Sequence, residues 1–152
     1  RPMNAPGDTA SSLGILLRQV RDALWARMAL ELSRRGHDLT FSQYITLKKL
    51  ASGTRGVTEL ARAADLNPGA MTRLLDRLEE KGLVVRTADA SDRRALNIEF
   101  TDAGLAIWKD IHRCGKRVLE IAMEGMDKDE REQLQRLLVQ VRDNLSPPAS
   151  PP

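Results

Sequence analysis

From Leu13 to Leu145 the apolar side chains recur at intervals of three and four almost throughout, which is the period of one helical face. Leu13, Leu16, Leu17, Val20, Leu24 and Met28 mark a long first helix that stops near Gly36. A second helix opens at Thr40, with Gln43 three residues on as a capping box, and carries Ile45, Leu47 and Leu50 to Ser52-Gly53. A short third helix begins at Thr58 with Leu60, Ala61 and Ala64. The fourth has Asn67 as N-cap, Pro68 at its first position and Gly82 as its stop. There the period changes to two: Val84-Val85-Arg86 reads as extended, Ala88 to Arg93 as a turn, and Leu96, Ile98 and Phe100 alternate with polar or small neighbours. Thr101 caps a fifth helix with Leu105, Trp108, Ile111, Val118, Leu119 and Ala122 on one side. Asp127 with Glu130 caps a sixth, carrying Leu134, Leu137, Leu138, Val141 and Leu145.

This order predicts a mainly α fold with a small β-hairpin wing: a winged helix-turn-helix over residues 40–100, flanked by long helices over 11–35 and 101–145. Together they form a single domain spanning 9–145. Residues 1–8 and 146–152 are polar and proline-rich and are expected to be disordered tails. Met3 is expected to be the natural first residue.

Helices three and four, the turn Asp65-Leu66-Asn67 and the hairpin are the parts that would meet DNA. A helix of roughly 14 residues is about 20 Å long and fits a major groove about 12 Å wide. Spaced at 100° intervals, Met71, Leu74, Leu75 and Leu78 fall on one face of helix four. Gly69, Arg73, Asp76 and Glu80 fall opposite, with Thr72 and Arg77 on the flanks, and Gly69 and Ala70 leave room for close approach. Like charges four apart, as in Arg73 and Arg77, disfavour an isolated helix, and phosphates or a guanine edge would relieve that repulsion. The competing reading is a solvated face on which Asp76 and Glu80 neutralise the arginines. At the hairpin tip Asp92-Arg93-Arg94 would project from the core, where a guanidinium can enter a narrow minor groove. The plainer alternative there is a turn in which Asp92 accepts local backbone donors.

Charge alone decides little. Of the 24 cationic residues 18 are arginine, and the formal net charge of the 152 residues is +3. Across 62–94 seven cations face six acids, so the argument rests on pattern rather than bulk charge. A single cysteine, Cys114, excludes an internal disulfide and points to a reducing compartment, and no apolar run is long enough to span a bilayer. A soluble, cytoplasmic protein with no membrane partner is the expectation.

The stretch from Val57 to Gly104, with "TELA", "MTRLLDRLEEKGLV", "DRR" and "FTDAG" in order, resembles the MarR family of bacterial transcriptional regulators. "SQYITLKKL" is similar to its SlyA-like branch, and the likeness spans roughly 11–145. The resemblance implies a homodimer on a near-palindromic operator of double-stranded DNA, acting by default as a repressor. Asn67, Gly69, Ala70, Thr72, Arg73, Asp76, Arg77, Arg86, Asp92, Arg93 and Arg94 form the implied DNA-binding set. Within it Thr72, Arg73 and Arg77 reach bases or phosphates, and Arg94 enters the minor groove with Asp92 holding it. It also implies that helices one, five and six interdigitate, with Leu13, Leu16, Leu17, Val118, Leu134, Leu138, Val141 and Leu145 in the dimer interface. The long apolar stripes of helices five and six agree, since one small winged helix cannot cover them.

Many relatives are released from DNA by small aromatic acids. Arg21, Trp25, Met28, Tyr44 and Lys48 could line such a site, with an aromatic wall and cations for a carboxylate; alternatively Trp25 and Met28 are core and the cations solvated. No cofactor is implied. His37, His112 and Cys114 do not cluster as metal ligands, and Cys114 departs from the positions of redox-sensing relatives. No catalytic motif is present, so an enzyme is not expected. The rival class is a winged helix used for protein–protein contact without specific DNA binding.

Overall fold

In the computed structural model, which describes residues 12–92 and 94–147, the caps and stops legible in the sequence delimit the helices. The elements are α1 (Leu13–Arg34), α2 (Phe41–Ala51), α3 (Val57–Ala63), α4 (Pro68–Glu80), β1 (Val84–Ala88), β2 (Leu96–Phe100), α5 (Asp102–Ala122) and α6 (Lys128–Leu145). The fold is a mainly helical winged helix with one hairpin. The tail expected over 1–8, and residues 148–152 of the other, lie outside the described residues.

Each start has a physical cause. Thr40 Oγ1 accepts from the Gln43 N–H at 3.1 Å while Gln43 Oε1 accepts from the Thr40 N–H at 3.0 Å, closing the capping box of α2. Asp127 and Glu130 do the same for α6 at 2.8 and 3.1 Å. Asn67 Oδ1 accepts from the Ala70 N–H at 2.8 Å, and Pro68 supplies a pre-set φ where no N–H is needed. Helix α3 starts at Val57, one residue ahead of the expected Thr58, because Gly56 takes the N-cap position. At Gly82, φ is 73°, the left-handed stop that ends α4 and turns the chain into β1.

Clustering of contacts divides the chain into two units, one ending at Val118 and one beginning at Leu119. In the first, Leu32, Leu47, Leu60, Met71, Leu75, Leu78, Val84, Ile98, Ile111 and Cys114 are almost wholly buried. Strands β1 and β2 pair antiparallel from Val84↔Phe100 to Ala88↔Leu96. The free edge of β2 is partly covered by the α2–α3 connection: Gly56 bridges to Asn97, and the Ile98 N–H donates to the Arg55 carbonyl at 2.9 Å. An Arg55–Glu99 ion pair closes the same junction. Of the three alternating apolar residues of β2, Ile98 alone is fully buried. Leu96 is exposed on the far part of the wing.

Helix α5 buries only part of the expected stripe against its own chain. Gly104, Ile111, Cys114 and Val118 are its buried residues, whereas Leu105, Leu119 and Ala122 are exposed. Positions 104, 111 and 118 are two turns apart and superpose on one face; 105 and 119 sit about 100° around from it. The start of α5 is bolted to the end of α4. The Thr101 N–H donates to the Leu83 carbonyl at 3.1 Å, its hydroxyl donates to the Gly82 carbonyl at 2.6 Å, and the Gly104 N–H donates to that hydroxyl at 2.9 Å. At Gly104 the helix approaches so closely that a Cβ would overlap the Leu83 carbonyl.

In the second unit, Arg131 donates to the carbonyls of Met123 and Met126, both at 3.1 Å, and fixes the turn before α6. No residue of α6 is buried.

The contact at Gly104 yields a stability prediction. Gly104→Ala should lower the free energy of unfolding by about 1–3 kcal/mol, because backbone must move to admit one methyl group. Gly14→Ala, in open space on α1, should not lower it. Denaturant midpoints compare the two; an unchanged midpoint for Gly104→Ala would show that α5 does not need this close approach.

Candidate nucleic-acid interface

Burial settles how α4 is turned. Met71, Leu74, Leu75 and Leu78 are its buried residues, as expected, and Gly69, Thr72, Arg73, Asp76, Arg77 and Glu80 are exposed. Arg73 and Arg77 make no ion pair or side-chain hydrogen bond with any described residue. Of the two acids expected to neutralise them, Asp76 is engaged elsewhere, as is the neighbouring Glu79, while Glu80 makes no ion pair with any described residue. Asp76 Oδ1 accepts from Arg86 Nη2 at 2.8 Å, and Glu79 Oε2 accepts from Arg86 Nη1. Thr72 points its hydroxyl to the Pro68 carbonyl at 2.9 Å, and Asn67 spends its side-chain oxygen on the cap. A Cβ on Gly69 would make only ordinary contacts, 3.6 Å from Asn67 Oδ1 and 3.7 Å from Arg73 Nη1, so the fold itself does not demand glycine there.

The wing loop is held by Asx-type contacts. Asp89 Oδ1 accepts from the Ser91 N–H at 2.9 Å and its hydroxyl at 2.8 Å, which keeps the Asp89 carboxyl below the usual range. Asp92 Oδ1 accepts from the Arg94 backbone N–H at 3.0 Å. Asp92 therefore holds Arg94 through the main chain, as in the plainer turn reading, and leaves the exposed guanidinium without a partner among the described residues. Arg93 lies outside them.

All five Phe, Trp and Tyr residues of the chain form one connected series. Trp25 packs edge-on against Phe41 at 5.1 Å between centroids and tilted against Tyr44 at 5.8 Å. Tyr44 continues to Trp108 at 6.3 Å, and Trp108 to Phe100 at 6.4 Å. Lys48 Nζ stands 5.9 Å from the Tyr44 ring. Of the five residues expected to line an effector site, the structure thus joins Trp25, Tyr44 and Lys48. Met28 is buried in the core, and Arg21 is exposed and paired with Asp22 at 3.2 Å.

Among the exposed apolar residues are Leu13, Ile15, Leu16, Leu17 and Val20 on α1 and Leu137, Leu138 and Leu145 on α6. Leu134 and Val141 are partly covered. Val118, expected in the dimer interface, is only 4% exposed: it belongs to the buried face of α5 and is covered by its own chain. No helix is long and apolar enough to cross a membrane, and no group of three His, Cys, Asp or Glu residues is placed to hold a metal ion, both among the described residues. Cys114 is buried, which pushes its thiol pKa up and keeps it protonated.

Residues 39–96 match the sequence model of the MarR family. The HTH-type transcriptional repressor NicR of Pseudomonas putida is 28% identical over 145 residues, covering 93% of this chain and 89% of that one. The structure of the transcriptional regulator PA3341 is 33% identical with a TM-score of 0.76, covering 87% of this chain and 96% of that one. The chain belongs to the MarR family. A mutant MarR from E. coli complexed with operator DNA is 28% identical with a TM-score of 0.72, covering 89% of this chain and 99% of that one. Like other MarR regulators, the protein is a non-enzymatic, winged-helix, DNA-binding regulator of transcription.

Within this MarR fold, reading the sequence missed two features. Arg86 reads there as a DNA contact, but it lies two residues from buried Val84 and so on the inward side of β1, while Val85 between them is exposed. Strand parity was the available signal. Glu31, in the apolar run of α1, is buried, with Arg27 and Arg34 each 3.7 Å and Arg117 3.9 Å away. His37 and Arg35 converge similarly on Asp110 of α5 at 2.6 and 2.8 Å, holding its carboxyl below the usual range.

Tyr44 offers a direct check on the aromatic series. Burial, and secondarily Cys114, raise its pKa above the ordinary value near 10. A raised pKa means the folded state prefers the neutral phenol, so this residue should erode stability as the pH climbs past 10. Because it is the sole tyrosine, phenolate absorbance should titrate above 10 in the folded protein and fall back on denaturation. A folded-state midpoint at or below 10 would place the ring in water.

Proposed function

We propose that the protein works as a homodimeric repressor that binds a near-palindromic operator and is released by a small aromatic or phenolic acid. The observation that carries the DNA half is the sorting of charge on α4. Arg73 and Arg77 stand exposed and unpaired among the described residues on the side away from the Met/Leu face, while Asp76 and Glu79 are tied to Arg86. Placed in a major groove, Arg73 and Arg77 supply base and phosphate contacts, Gly69 and Ala70 admit the backbone, and Arg94 reaches the flanking minor groove. Arg86 and Asp76 then act behind the contact surface, and Asn67 caps the helix that makes it.

The dimer is supported by the uncovered leucines of α1 and α6, which are costly to leave in water on a chain of this size. Two copies related by a two-fold axis present two recognition helices, and a two-fold operator follows. The effector is supported by the ring series beside Lys48: aromatic surface, one cation, and a wall shared by α1, α2 and α5. On this reading the protein works in the cytoplasm, where bacterial promoter DNA lies.

Mobility shifts with DNA from upstream of the protein's own gene, at two salt concentrations, test this. Binding should weaken steeply with salt. Arg94→Ala should weaken all operators alike, whereas Arg73→Ala should also relax base preference by about 1–3 kcal/mol at one position. No binding at low salt would favour a protein–protein module instead. A monomer by sedimentation at micromolar concentration would remove the dimer. Failure of hydroxylated aromatic carboxylates to release the DNA would remove the effector.

A further inference from the structure

We infer that Arg86 is a positioning residue for DNA recognition, a clamp that fixes the wing against the recognition helix and takes Asp76 and Glu79 away from Arg73 and Arg77. This rests on the operator-binding reading and adds a mechanism to it.

The geometry is that of one guanidinium against one helix face. Arg86 reaches out from β1 and donates to Glu79 through Nη1 and to Asp76 through Nη2 at 2.8 Å, with the Thr72 carbonyl 3.4 Å from the same Nη2. Positions 72, 76 and 79 are spaced by four and three, so they line a single stripe of α4. The planar fork of arginine can hold two carboxylates in fixed directions, which a lysine cannot do. The Arg86 side chain is 24% exposed against 53% for Asp76 and 40% for Glu79, so the cation is the inner member of the group.

Two consequences follow. Arg86 sits in the middle of β1, paired with Ile98, so the clamp fixes the hairpin at a point between its base and its tip. A protein that reads a major groove with α4 and a minor groove with Arg94 needs that separation set before it meets DNA. Both carboxylates are also held on Arg86, which offsets one of their two charges, so neither is engaged with Arg73 or Arg77.

The test exploits an opposition of sign. Removing acids from a DNA-facing helix should tighten binding if they merely repel phosphates. The clamp predicts the reverse: the paired substitution Asp76→Asn with Glu79→Gln should weaken operator binding by about tenfold, the size expected of one coupled contact. In that background Arg94→Ala should cost clearly less than in the wild type, and hydroxyl-radical footprints should lose minor-groove protection while keeping the major-groove pattern. Arg86→Met should weaken binding without changing the slope of log affinity against log salt, whereas loss of a phosphate contact lowers that slope by about one. Arg86→Lys should fail to restore full affinity although it keeps the charge.

Equal or tighter binding by the paired acid variant, an unchanged cost of Arg94→Ala, or a reduced salt slope for Arg86→Met would each overturn the clamp. Should Arg86→Met fail to fold, the near-isosteric acid variants carry the test, with melting curves as the control. A wild-type protein that binds no operator at any salt removes the DNA reading itself and the clamp's role with it, a result visible before any variant is compared.

Discussion

Burying Met71, Leu74, Leu75 and Leu78 leaves α4 no freedom to rotate about its axis. Each such side chain contributes about 1.5–3 kcal/mol when withdrawn from water, while an exposed ion pair is worth about 0–1 kcal/mol. Turning the helix to bring Asp76 or Glu79 inward would cost several of the former for one of the latter. The face carrying Gly69, Arg73 and Arg77 is outward because the leucines are inward. The hairpin then follows from the same packing, since Leu83 and Val84 continue the buried run directly after the Gly82 stop.

Against that fixed orientation, nearly balanced charge becomes sorted charge. Seven cations and six acids over 62–94 give almost no net field, yet the acids of α4 that stand within reach of Arg86 are bound by it, and the arginines beside them are not paired. A protein of modest net charge can thus present locally unopposed guanidinium groups to a polyanion, while its remaining surface stays mixed in sign and weakly attractive. The same sorting appears at Asp110, paired with Arg35 just past α1, and at Glu31, approached by Arg117 of α5, where arginines serve the chain's own carboxylates.

The elements were legible wherever a local rule ruled. Capping boxes at Thr40 and Asp127, the Asn67-Pro68 start and the glycine stops are contacts within a few residues, so sequence spacing contains them. Periodicity placed the α4 face correctly because its apolar residues are unambiguous. On α5 it does not separate what the chain covers itself from what it leaves uncovered, because Gly104 and Cys114 bury without looking strongly apolar while Leu105 and Leu119 look apolar and stay exposed. Val118, which the family resemblance implies for the dimer interface, is covered by its own chain. Among the site residues, Arg73 and Arg77 are exposed on α4 and Arg94 is exposed beside the hairpin turn, as the pattern reads. Arg86, Asp76 and Asn67 were legible as polar residues near the right surface, but their partners depend on strand parity and on a cap, and those contacts decide what each side chain is free to do.

Phe100 belongs to two parts of the molecule at once. It ends β2, opposite Val84 at the root of the wing, and its ring touches Trp108, which leads through Tyr44 to Trp25 on α1. The root of the wing is therefore joined to the last ring of a continuous aromatic series. Each ring of that series meets another ring, and the last of them belongs to the strand that leads out toward Arg94.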